Sequence, residues 1–249
     1  MIGRIVLAAL IAGIAAGVVL AGIQHVRLTP IILAAEVYEK AADAAAEAAA
    51  VAKTTTQAPE KCVENMPGHT MCNGDQKEWE PAEGLQRTLY TTGASMLAGG
   101  GFAALLAGLS LLLGVPITPR NGLLWGLCGF FAFTVAPSVG LPPEVPGMPI
   151  ADLLSRQIWW TGTIIAAGIA IYILALKREP KWIALAIILL ALPHVIGAPQ
   201  PSTEETTVPA GLAAEFASNT VAASAVFWSC IGVFLGFALQ KFNREIYPA

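Results

Sequence analysis

Charge is what this chain has least of: Asp, Glu, Lys and Arg together make up 12% of its 249 residues, about half the roughly 25% of a soluble domain. Metal-ligating and nucleophilic side chains are scarce too, with three histidines and four cysteines. There is no G-x-x-x-x-G-K-[ST] phosphate loop, no H-E-x-x-H and no G-x-S-x-G element, and the cysteines have no convincing zinc spacing. These absences argue against ATP-driven chemistry within the chain and against an enzyme, and nothing in it points to nucleic acid.

What the chain has instead is apolar length. Hydrophobic residues reach 55% and the mean hydropathy is +0.65. A helix of about 20 apolar residues crosses a bilayer because its backbone polar groups bond one another. Six runs qualify, near 5–23, 88–113, 121–140, 157–176, 182–198 and 218–240. The expected fold is therefore an all-α integral membrane protein of about six transmembrane helices. Proline-rich stretches after the third and fifth runs, Pro137 to Pro149 and Pro193 to Pro201, predict irregular outer ends. Met1 to Gly22 also reads as a secretory signal peptide, with Arg4 as its charged start; the length of its apolar stretch favours an anchor.

Orientation follows from the short loops, because their basic residues set topology. With the N-terminus in the cytoplasm, Arg4, Arg120, Lys177, Arg178, Lys181, Lys241 and Arg244 fall inside, and the two short outer loops hold only Arg156. An even number of spans then places both termini in the cytoplasm. Fifteen of the seventeen acids fall outside with seven bases, an outer charge of −8. Such a face concentrates cations; equally, it is what remains once the bases have been drawn inside.

Three parts follow: a first transmembrane helix (1–23), an extracytoplasmic loop (24–87) and a five-helix bundle (88–249). In the loop, alanine-rich 34–53 with Glu36 and Lys40 four apart predicts a helix, leaving the membrane after a bend near Pro30. Further on, Cys62 and Cys72 lie in a segment assigned to an oxidising compartment, so a disulfide is one reading. Met66, His69 and Met71 between them make a transition-metal site the other.

No ionisable residue lies near the middle of any run, which counts against an ordinary proton-coupled pump. A path lined by Ser95, Met96, Ser110, Thr134, Asn219, Ser224 and Ser229 stays open. Gly13 and Gly17, Gly122 and Gly126, and Gly232 and Gly236 are each spaced four apart, a pattern that lets helix backbones approach closely. Polar residues gather at the outer ends: His25, Glu36, Arg87, Glu144, Asp152, Arg156, His194 and Glu215. Glu36, Glu144, Asp152 and His194 are candidate metal ligands of an outer vestibule, with His69 in the loop. The competing reading is interfacial ion pairing, for example Asp152 with Arg156 at helical spacing.

Several stretches also carry a resemblance: AEVYE at 35–39, WEPAEGLQRT at 79–88, GLLWGLCGFFAF at 122–133, APSVGLPPEVPGM at 136–148, ADLLSRQIWW at 151–160, LPHVIGAPQP at 192–201 and VPAGLAAEFA at 208–217. In this order the chain resembles the CbtA family, the probable cobalt transporter subunit. The resemblance implies a five- or six-span protein of the bacterial inner membrane, associated with vitamin B12 biosynthesis. It also implies a small single-span, histidine-rich membrane partner, with Co²⁺ as cargo and no bound cofactor. Glu36, Tyr38, Glu39, Trp79, Arg87, Glu144, Asp152, Arg156, Gln157 and His194 fall on its motifs. A non-transporting accessory subunit of a larger membrane complex is the alternative.

Overall fold

In a lipid environment apolar burial does not by itself drive helices together, so small residues that permit close backbone contact decide the packing. In the computed structural model, which describes residues 2–54, 81–82, 84–202 and 205–242, every element is helical. Helix α1 (Ile2–Ile23) passes through a π-helical turn, Gln24–Leu28, into α2 (Thr29–Thr54). Helix α3 (Leu85–Leu113) follows. Then α4 (Gly122–Phe130) runs through a second π-turn, Phe131–Val135, into the short α5 (Ala136–Ser138). Helices α6 (Leu153–Leu176), α7 (Pro180–Ile196) and α8 (Ala210–Phe242) complete the chain.

Four stretches are long and apolar enough to cross a membrane: Ile2–Ala49, Leu85–Leu113, Leu153–Leu176 and Ala210–Phe242. The two remaining candidates, Gly122–Ser138 and Pro180–Ile196, are shorter apolar helices. The expected six runs thus resolve into four full-length helices and two short ones.

Pro30 does not end the first helix, which continues through the π-turn into α2. A proline cannot donate to the carbonyl four residues back and its ring crowds that position. The π-turn ahead of it loosens the coil by taking up an extra residue. The Gln24 carbonyl then accepts both the Thr29 N–H and the Thr29 hydroxyl, the latter at 3.1 Å. Pro137 stands in the same relation to the second π-turn, two residues beyond its last member.

Two glycine contacts weld the centre. A Cβ on Gly17 would meet Met96 Cα at 2.6 Å, and one on Gly13 would meet Gly100 N at 2.5 Å. Position 13 opposite 100 and 17 opposite 96 makes α1 and α3 antiparallel. On the other flank, a Cβ on Gly232 would meet Gly126 N at 2.7 Å and one on Gly236 would meet Thr118 O at 2.6 Å. That makes α4 and α8 antiparallel as well. Around these contacts Ala8, Ala9, Ala12, Ala103, Ile231, Leu235 and Leu239 are buried. Trp228, 2% exposed, stacks near Phe102 and Phe133 at 4.8 and 5.2 Å between ring centroids.

Helices α6 and α7 form a separate hairpin around Ala170, Ile173 and Ala186. It joins the body through a small patch in which Ala167 packs on Ala132 and Ala136 of the second π-turn region. Helix α7 leans almost entirely on α6.

Candidate outer groove

The alternation of helix directions sends the starts of α2, α3 and α8 and the connections 139–152 and 197–209 to one end of the bundle. An apolar cluster of Ile31, Ala35, Val145 and Val208 ties that end together. Two hydroxyl bonds reinforce it, from Thr206 to the Gly147 carbonyl at 3.1 Å and from Thr207 to the Tyr38 carbonyl at 3.4 Å. Gly147 sits at φ 81°, and Glu39 and Val208 press against the place a Cβ would take, so this bend needs glycine.

Each candidate acid at this end has a specific partner. Arg87, at the start of α3, forms an ion pair with Glu36 of α2, and Lys40 approaches the other carboxylate oxygen at 4.0 Å. Arg156 of α6 donates to Glu144 Oε2 at 2.7 Å. The helical-spacing pair of Asp152 with Arg156 therefore does not form. Asp152 is instead the N-cap of α6, accepting the Ser155 N–H and the Ser155 hydroxyl, each at 2.9 Å. Those bonds, the backbone one foremost, hold its carboxyl below the usual aspartate range. Arg156 prefers Glu144 because the 139–152 connection folds back over α6, and the cap has already engaged Asp152.

His194 lies apart, near the end of α7, its ring edge-on to Trp159 at 5.8 Å. The Trp159 indole N–H donates to the Pro193 carbonyl at 3.0 Å and fixes that corner. Among the described residues no three His, Cys, Asp or Glu side chains come together as a metal-binding group. Glu36, Glu144, Asp152 and His194 thus share one end of the molecule but not one coordination shell. His69, Cys62 and Cys72 lie outside the described residues.

What the end does have is a groove of about 720 Å³ between α5, the 139–152 connection and α6, with Ser224 of α8 at its back. Glu144 and Arg156 stand on its wall with Gln157, Trp160 and Thr134. A smaller cavity of about 210 Å³ lies beside the first π-turn, lined by His25, Arg87 and three threonines of α3. The groove is built by tertiary folding of a proline-rich segment, and no sequence pattern announces it.

The sequence matches the family described as probable cobalt transporter subunit (CbtA) over residues 2–240. The chain belongs to the CbtA family. No curated protein and no solved structure matches it. The CbtA match covers all the helices described above except the last two residues of α8, so the groove, the two ion pairs and the glycine contacts all lie within it. A transporter-subunit family and four helices of membrane-spanning length make this CbtA chain a membrane protein.

Proposed function

We propose that the chain is the membrane subunit of an uptake permease for a divalent transition metal, with cobalt as cargo, and that it takes the ion from the periplasmic face of the bacterial inner membrane. Membership of the CbtA family carries the reading. The distribution of charge supports its direction. Arg4, Arg120, Lys177, Arg178, Lys181 and Lys241 sit at the end of the bundle opposite the groove, and basic residues near span ends mark the cytoplasmic side. That puts both termini inside and the groove, with Glu144 on its wall, outside.

Cobalt(II) accepts carboxylate and imidazole ligands, so Glu144, Glu36, Asp152 and His194 are the groups to test first. In this reading a small single-span, histidine-rich partner docks beside the chain, and His69 with Cys62 and Cys72 belongs to the periplasmic segment. The accessory-subunit reading draws on one observation: both candidate carboxylates Glu36 and Glu144 are already engaged by arginines.

The experiment is uptake of labelled Co²⁺ in cells lacking other cobalt importers, with the chain and its partner expressed together. Uptake that requires the chain and falls in Glu144→Gln and His194→Ala is the expected result. Uptake indifferent to the chain would move the accessory-subunit reading to the front. Single cysteines at positions 144 and 205 should react with an impermeant reagent added from the periplasmic side; reaction only from the cytoplasm would reverse the orientation.

A further inference from the structure

Most of the hydroxyls that the sequence places in the spans are satisfied by the protein. Ser95 donates to Gln24 Oε1 at 2.9 Å, Ser110 to the Val115 carbonyl at 2.7 Å, and Ser229 to the Ala225 carbonyl at 2.7 Å. Asn219 is held by the Glu215 carbonyl. Thr134, Ser138 and Ser224 differ. Among the described residues none of these three hydroxyls has a protein partner, and all three line the groove. The cause is local for Thr134: it lies within the π-turn Phe131–Val135, out of the i−4 register through which Thr92 and Thr163 bond their own helices.

We propose that the groove is an oxygen-lined station for a partly hydrated divalent cation, with the Glu144 carboxylate and the Thr134, Ser138 and Ser224 hydroxyls on its walls. This rests on the permease reading and names the class of cargo the site takes. Glu144 remains competent while paired, since Arg156 bonds Oε2 and leaves Oε1 free for the ion. The guanidinium beside it weakens the hold, which suits a site that must also release. Water occupies about 30 Å³ per molecule, so a cation with six waters fills only part of the roughly 720 Å³ groove.

No histidine or cysteine lines this groove. Oxygen donors suit magnesium and manganese as well as cobalt, so the station accepts divalent cations as a class. Discrimination in favour of cobalt belongs to whatever delivers the ion.

The test uses the full chain in detergent micelles with Tb³⁺, a hard, oxygen-seeking ion whose emission is sensitised by a nearby indole; Trp160 lines the groove. Indole-excited emission should appear on binding, vanish in Trp160→Phe, and be displaced by Mg²⁺ and by Co²⁺ alike. The pair Thr134→Val with Ser224→Ala should weaken binding about tenfold or more, a loss of about 1.4 kcal/mol, and Thr134→Ser alone should retain it. Emission that survives in Trp160→Phe, or affinity unchanged in the hydroxyl double variant beside a folded Thr134→Ser control, overturns the station. Chain-dependent Co²⁺ uptake that persists in that double variant overturns the station while leaving the permease reading intact. Absence of chain-dependent uptake in the unmodified protein removes the permease reading instead.

Discussion

Replacing Gly232 by alanine adds one methyl group at the place where α4 and α8 come closest. That methyl would sit 2.7 Å from Gly126 N and 2.9 Å from Gly126 Cα, with the Gly122 carbonyl oxygen nearer still. Ordinary contact begins at 3.4 Å, and every one of these neighbours is backbone, so the helices must part by about 0.7 Å or more. Overpacking of this kind costs about 1–3 kcal/mol, with the upper half expected where no side chain can turn aside. The gain in helix propensity from glycine to alanine, about 0.5–1 kcal/mol, offsets part of it. A net loss of about 1–2 kcal/mol is expected. Gly162 on α6 supplies the control, since a methyl there meets nothing within 4 Å; Gly162→Ala should be neutral or gain up to about 1 kcal/mol. The two variants should therefore differ by about 1–3 kcal/mol, or about 5- to 150-fold in the folding equilibrium. Unfolding in mixed micelles with increasing SDS, followed by near-ultraviolet circular dichroism of the aromatic cluster, would measure the gap. Coincident transitions for the two variants would refute the argument that backbone contact between α4 and α8 holds this half of the molecule together.

Three further outcomes follow from the groove end. A double-mutant cycle with Glu144→Gln and Arg156→Gln should give a coupling of about 1 kcal/mol, because the 2.7 Å pair is only a quarter or less exposed on either side; coupling near zero would make the contact incidental. The Asp152 carboxyl is lowered in the folded chain by its bonds to Ser155, so its contribution is full above the ordinary aspartate range and is lost as pH falls through the lowered folded value. Thermal unfolding of the native chain and of Asp152→Asn should accordingly converge only in that acid window, and a constant gap down to the lowest pH would contradict the cap's titration. Trp159→Phe should cost about 1 kcal/mol through loss of the bond to the Pro193 carbonyl, read as a lowered midpoint in the same SDS titration; an unchanged midpoint would show that Trp159 serves by packing alone.

The helical character and the positions of the apolar helices were legible because apolar length is a one-dimensional signal. Glycines spaced four apart, such as Gly122 and Gly126, likewise lie on one face by geometry alone. The way the helix accommodates Pro30 was not legible: it adds a residue ahead of the proline, in the Gln24–Leu28 turn, and no residue pattern marks that turn. Arg156 was misleading. Helical spacing put Asp152 within reach, but a distant choice, the fold-back of 139–152, delivered Glu144 instead. The groove was hidden for the same cause, since its walls come from the 133–160 stretch folding back on itself, with Ser224 added from α8. Thr134 and Ser224 were visible as hydroxyls within apolar runs; that they meet Ser138 in a shared cavity without partners is a property of the fold.

The two short helices have a consequence for the surrounding lipid. Helices Gly122–Ser138 and Pro180–Ile196 hold 17 residues each and reach about 25 Å at 1.5 Å per residue, against a hydrocarbon thickness of about 30 Å. The 33-residue α8 beside them has length to spare. A bilayer crossed by both short helices would thin along them, since a short apolar helix draws the surrounding lipid in. Acyl-chain length therefore becomes a variable of the protein itself: in short-chain lipid the two helices are relaxed, and in long-chain lipid they are under compression.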